Sequence, residues 1–250
     1  MRRADTMFFI GFIVFTLVIL VFATYTFYLS ERKSNTEIIG DKQIKLLEIY
    51  GEGEKQLFFI DKSAEYVQGD AFLDLSSFDT GCGSKNNYYL WKKGFQDCFL
   101  TQDLIQKQFN KTFNSRLNEY FINYGGLLQD NYEIILKDNY VMGNAINPLN
   151  IKAENISYLI TPNFKIKTDY NFDSLLDISE KAKKYSEECK DDLNCWNLKA
   201  QQSTYQWQID KNGKVFMFDV NTNLKVGFFE QKEFIVKFAI DFEENPLFTS

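Results

Sequence analysis

Residues 207–220, "WQIDKNGKVFMFDV", decide the fold class. Two runs rich in strand-forming side chains flank Asn212-Gly213, a dipeptide that accepts the positive φ angles of a tight hairpin turn. Residues 233–242, "EFIVKFAIDF", follow with Phe234, Val236, Phe238, Ile240 and Phe242 on one side, the period-2 pattern of a strand with one buried face. Such a face must be covered by another layer.

Working back along the chain, the same period recurs and then gives way to helix. In "NFKIKTDYNF" (163–172), Phe164, Ile166, Thr168, Tyr170 and Phe172 alternate with Lys165, Lys167, Asp169 and Asn171. "YEIILKDNYVMG" (132–143) reads as two short strands around an Asp138-Asn139 turn. Three stretches carry the helical period instead. Leu104, Phe109, Phe113, Leu117, Phe121 and Tyr124 line one side of a helix over about 101–124, with Thr101 as its cap and Asp103 in the first turn. Leu57, Ile60, Ala64, Val67, Ala71 and Leu75 do the same over about 54–77, and a polar helical stretch covers about 173–205. The Gly- and Asn-rich segment 79–99, "DTGCGSKNNYYLWKKGFQDCF", reads as a loop. The expected class is α+β, an antiparallel sheet packed against helices.

Ahead of this domain, residues 7–30, "MFFIGFIVFTLVILVFATYTFYLS", carry no charge and are apolar all round. As a helix they span about 35 Å, enough to cross a hydrocarbon core of about 30 Å. The run is too long for the apolar region of a cleaved signal, and "FATYTFY" offers no small-x-small cleavage site. Residues 1–30 are expected to be an uncleaved signal anchor partnered by the lipid bilayer. Residues 31–53 form a connector in which "GEG" (51–53) interrupts any helix continuing from the membrane. Residues 54–250 form one domain.

Arg2 and Arg3 before the span nearly balance Arg32 and Lys33 after it, so basic residues alone do not orient it. The handful of residues before the span are easily retained, a large following domain can be translocated despite a few basic residues, and the four cysteines point the same way. They fall into two local pairs, Cys82 with Cys98 and Cys189 with Cys195, an even count that in an exported domain implies disulfides and places residues from about 36 onward outside the cytoplasm. A four-thiolate zinc site is disfavoured because neither pair has the two-to-four-residue gap of a zinc hairpin. On a continuous helix Cys189 and Cys195 would lie about 9 Å apart along the axis, so their bond requires a break within "KDDLN" (190–194), with separate helical pieces before Glu187 and after Asn194.

Composition excludes much chemistry. The chain has no histidine, which removes Ser-His-Asp and Cys-His nucleophile systems, and its net charge of -6 provides no basic stripe for nucleic acid. No phosphate-cradling glycine loop is present, and no cofactor is expected. Ser30 and Lys33 match the Ser-x-x-Lys spacing of some acyl-transfer enzymes but sit at the membrane boundary without the partner motifs. The paired acids Glu187-Glu188 and Asp191-Asp192 read as a solvated helical face rather than an acid-base pair. Asp219, Asn221, Asn223, Val226 and Glu230 fit five positions of a calcium loop, yet Leu224 occupies the position of the turn glycine, and the segment lies between strands. Asn110 and Asn155 match the N-glycosylation pattern at a frequency expected by chance.

"YGEGEKQLFFIDKSAEYVQGDAFLDL" (50–75), followed by Cys82-Gly83, Trp91, Cys98 and "NFKIKTDYNF", resembles uncharacterised membrane-anchored archaeal proteins. In some of these a similar outer domain precedes a D-alanyl-D-alanine carboxypeptidase-like domain. The resemblance covers most of 36–242. That peptidase chemistry uses histidine zinc ligands, this chain has none, and Ser250 follows directly on the last strand, so nothing catalytic carries over. The expected function is non-enzymatic: a membrane-anchored domain that binds or scaffolds a surface protein or polymer, with Tyr88, Tyr89 and Trp91 as candidate contacts. The alternatives are a pilin-like filament subunit, against which the "GEG" break and the lack of a glycine before the apolar run both count, and an accessory subunit of a cell-envelope enzyme.

Overall fold

A computed structural model describes residues 2–137, 139–153, 156–228 and 230–243, with side chains throughout except at 2–12, 32–39, 41 and 153. Fifteen elements of helix and strand follow in order: α1 (Arg2–Leu73), β1 (Ser84–Lys85), β2 (Tyr88–Lys93), β3 (Gln96–Asp97), α2 (Gln102–Tyr124), β4 (Tyr132–Lys137), β5 (Tyr140–Ala145), β6 (Leu149–Ala153), β7 (Ile156–Ile160), β8 (Phe164–Lys167), α3 (Asp173–Cys189), α4 (Leu193–Gln201), β9 (Gln206–Asn212), β10 (Val215–Val226) and β11 (Lys232–Asp241). A 3-10 turn, Asp74–Ser76, follows α1. The chain divides into two compact units, one of residues up to 54 with 150–158, the other of 55–149 with 159 onward.

In the first unit, Ile13–Glu31 has a mean hydropathy of 2.1 and none of it is buried, so by length and composition it can cross a membrane or act as a signal. Thr16, Thr24 and Thr26 donate their hydroxyls to carbonyls three or four residues back in the same helix, which meets these three donors along an apolar surface. The expected break at "GEG" is absent: residues 51–53 are helical. Two glycines each cost only about 1 kcal/mol in a helix interior, far less than proline, and a helix already nucleated on both sides absorbs that. The β6–β7 pair was not anticipated. Its Tyr158 ring lies 4.7 Å from that of Tyr50, and Ile49 and Ile151 are buried.

The second unit holds the core. One sheet runs β1-β2-β11-β10-β9 with β3 added to β2, and a smaller one runs β4-β5-β8. Every pairing in the two is antiparallel except that of β2 with β11, which is parallel. The "WQIDKNGKVFMFDV" hairpin forms, but its turn lies one residue beyond the Asn212-Gly213 dipeptide: Asn212 ends β9 opposite Val215, and the turn residues are Gly213, at φ 63°, and Lys214. Phe216, Phe218, Val220, Phe234, Val236, Phe238 and Ile240 form the inner face of the large sheet, all fully buried. Helical residues cover that core: Ile60, Ala64, Val67 and Ala71 of α1, Phe109, Phe113 and Leu117 of α2, Leu175, Ile178 and Ala182 of α3, and Trp196 of α4.

Beside its phenylalanine stripe, α2 carries a second stripe of amides that closes the open edge of the small sheet. Gln106 donates to the carbonyl of Ile134 and accepts from the Leu136 N–H. Asn110 Oδ1 accepts from Ile134 N at 3.1 Å, and Asn114 Nδ2 donates to the Tyr132 carbonyl at 2.8 Å. Spaced four residues apart on one helix, these side chains replace the missing neighbour strand of β4. Asn110 is thus engaged by its amide oxygen and half-buried, a poor position for a glycan; Asn155 lies outside the described residues.

Candidate functional site

The segment 79–99 is a small three-stranded meander rather than a loop. Asn86 and Asn87, at φ 53° and 68°, form the two-residue turn between β1 and β2, because asparagine tolerates the left-handed region that such hairpins demand. Gly94 at φ 56° opens the second turn. Cys82 and Cys98 are disulfide-bonded with Cα atoms 6.0 Å apart and close the two ends of the meander.

Strand alternation then sorts the three aromatic candidates. Tyr88 lies on the outer face beside Met217 and Cys82, and burial, then the neighbouring Asp219 carboxylate, raises its pKa. Trp91 is a correction: it is only 3% exposed and stacks on Phe238 at 3.8 Å, a core residue unable to meet a partner. Alternation within β2 sends Trp91 inward, whereas a loop would have left its direction free. The exposed aromatic of the meander is Phe95, 86% exposed in the turn after Gly94. Its position directly after a turn glycine was the available signal.

Tyr89 is half-buried and lines an open groove of about 640 Å³. Asp74, Ser76, Ser77 and Asp79 form one wall, and Gln108, Lys111 and Thr112 of α2 form the other. Four of the polar groups, Asp74, Asp79, Gln108 and Thr112, are held in place. Arg116 donates to Asp74 from both Nε and Nη2 at 3.1 Å, a forked pair that raises the guanidinium pKa. Asp79 accepts from the Gly81 N–H, and Gln108 donates to the Thr112 hydroxyl. Carboxylate, amide and hydroxyl groups around one aromatic ring can hydrogen-bond a polyhydroxylated ligand while the ring packs against its C–H face.

No protein-family model matches this chain, and no curated protein or solved structure matches it. The geometry therefore carries the functional reading.

The other sequence candidates are structural. Cys189 and Cys195 are disulfide-bonded with Cα atoms 5.4 Å apart, and the helix breaks at residues 190–192 as the spacing requires. Asp192 caps α4 by accepting from the Asn194 and Cys195 N–H groups. Glu188 pairs with Lys199, while Glu187 and Asp191 are exposed. Asp219 to Val226 belong to β10, which pairs with β11 on both sides of a bulge at 222–224 where Asn223 takes φ 61°, a sheet irregularity rather than a loop between two helices. Their side chains serve the sheet: Asp219 pairs with Lys237, and Asn221 donates to Glu233. Among the described residues no group of three His, Cys, Asp or Glu is placed to hold a metal. Ser30 lies in α1, and the Lys33 side chain is outside the described set.

Proposed function

We propose that the protein is a membrane-anchored, non-catalytic binding module, held in the bilayer by residues 7–30, with its disulfide-bonded domain outside the cytoplasm and a surface polymer as ligand. The Tyr89 groove supports this reading most directly, because Asp74, Asp79, Gln108 and Thr112 in its walls are already held by other bonds and its volume exceeds that of a single small solute. The two disulfides favour an oxidising compartment. Such a module fits the resemblance to membrane-anchored archaeal proteins.

The test uses the full chain in nanodiscs, sedimented with polysaccharide from the envelope of its source. Wild type should co-sediment, and Tyr89→Ala or Gln108→Ala should weaken retention about tenfold, while exposed Lys107→Ala should not. Equal retention of all variants would remove the groove from the proposal. Protease added to intact cells should digest the domain and spare the anchor; protection until lysis would reverse the orientation.

One observation favours a second reading. Residues 51–53 are helical, so the break that counted against a pilin-like filament subunit does not exist. Intact mass separates the two: loss of Met1 to Ala4 supports a processed filament subunit, an unprocessed start supports the anchor.

A further inference from the structure

Away from the groove, three aromatic rings from distant parts of the chain gather around a cleft of about 180 Å³. Tyr66 of α1, Tyr120 of α2 and Phe228, just beyond β10, line it together with Asp70, Glu230 and Lys232. The Tyr66 ring lies 4.8 Å from Phe228, edge-on, and 6.5 Å from Tyr120, so the three present differently tilted surfaces to one space. Asp70 stands one helical turn beyond Tyr66, on the same side of α1. Two carboxylates and the Lys232 ammonium leave one negative charge around the cleft.

The walls are braced. A Cβ at Gly69 would stand 2.9 Å from the Cα of Gly227, so helix and strand end touch backbone to backbone there. Gly227 also donates its N–H to the Tyr170 hydroxyl at 3.2 Å, which fixes the chain immediately before Phe228.

We propose that this cleft binds a small quaternary ammonium ion. Ring faces attract a cation through their quadrupoles, most strongly when it is weakly hydrated, and a methylated ammonium makes no hydrogen bonds that the rings would have to replace. The volume is below the range of about 300–1,000 Å³ for drug-sized ligands and suits a trimethylammonium head. Lys232, 3.6 Å from Glu230, is the resident competitor for the acidic rim. The rim also sets the source: a free ammonium is favoured over a lipid headgroup, whose adjacent phosphate would meet Asp70 and Glu230.

The experiment titrates choline into the full chain in maltoside micelles, which contain no choline, and follows saturation transfer to its methyl protons against empty micelles. Choline should bind at least about tenfold more tightly than its neutral isostere 3,3-dimethylbutan-1-ol, and more tightly than phosphocholine. Tyr120→Ala should weaken choline about two- to fivefold, Tyr120→Phe should retain it, and Lys232→Met should strengthen it. Tyr120 is 37% exposed, so its truncation does not open the core. Equal binding of choline and the isostere, tighter binding of phosphocholine, or indifference to Tyr120→Ala would each overturn the proposal.

Discussion

Replacing Asn110 with alanine tests whether the amide stripe of α2 closes the edge of the small sheet. Asn110 Oδ1 receives the N–H of Ile134 at 3.1 Å and the Nδ2 of Asn114 at 2.8 Å. Asn114 retains the Tyr132 and Asn110 carbonyls when that oxygen is lost, but the Ile134 N–H does not. Ile134 is 1% exposed, and a buried donor left unmet costs about 1–3 kcal/mol. Alanine returns up to about 0.7 kcal/mol of helix propensity, leaving a net loss between about 0.3 and 2.3 kcal/mol. Asn110→Asp keeps the acceptor and should lose less than alanine does; exposed Lys107→Ala should lose nothing. Urea unfolding followed by tryptophan emission suits the question, because Trp91, Trp196 and Trp207 all belong to the unit that contains α2 and β4. Hydrogen exchange at the Ile134 amide supplies the local readout, with reduced protection expected in the alanine variant alone. If Asn110→Ala unfolds at the wild-type midpoint and Ile134 stays protected, water or backbone satisfies the edge and the stripe is incidental.

Gly143→Ala should destabilise by about 1–3 kcal/mol, since the new Cβ would lie 2.2 Å from the Phe164 ring, itself wedged against Phe113 and Tyr132; pairing it with Phe164→Leu should recover part of the loss in the same urea assay, and strict additivity would refute the clash. Removing the Cys82–Cys98 bond should cost about 3 kcal/mol and the Cys189–Cys195 bond about 2 kcal/mol, from loops of 16 and 6 residues in the chain-entropy model; non-reducing peptide maps that return free thiols or a Cys82–Cys189 link would refute the pairing. Tyr205 is pushed up to about 12 by burial, with a hydrogen bond to Asp177 and the charges of Asp177 and Asp173 adding to it. The folded state therefore holds this proton more tightly than the unfolded chain. The stability this provides is complete below about pH 10 and is lost as pH rises toward 12, so Tyr205→Phe should flatten the alkaline loss in a pH series of unfolding midpoints, and an unchanged slope would refute it.

The fold is legible in the sequence wherever one periodicity runs uninterrupted. Phe234, Val236, Phe238 and Ile240 announce their strand, and Phe109, Phe113, Leu117 and Phe121 their helix, because burying one face requires that spacing. Legibility fails where propensity and context disagree. Glycines 51 and 53 weaken a helix locally, but neighbouring turns hold it. The meander at 84–97 was obscured by its own turn residues: Asn86-Asn87 is a hairpin signal as strong as Asn212-Gly213 once both asparagines are allowed positive φ. The helix break at 190–192 was legible for a different reason, since a covalent constraint, the short cysteine spacing, overrides helical propensity.

Binding surfaces are harder to read, and Trp91 and Phe95 explain why. Both are aromatic, both lie within the disulfide-closed segment, and four positions separate them, yet one stacks in the core while the other stands free. Composition gives them equal weight; only the register of β2 and the turn at Gly94 tell them apart. The sites themselves are further removed from local pattern. Tyr89 meets Asp74 and Gln108 across three elements, and the cleft at Tyr66 takes its remaining rings from positions 120 and 228. Residues so distant in sequence are brought together by the packing of α1, α2 and β10, which the periodicity of each element cannot encode. What local sequence does carry is the bracing of such a site: Gly69 and Gly227 are small because two backbones meet there. Substituting Gly69 with alanine should therefore weaken choline binding at the cleft even though residue 69 touches no ligand.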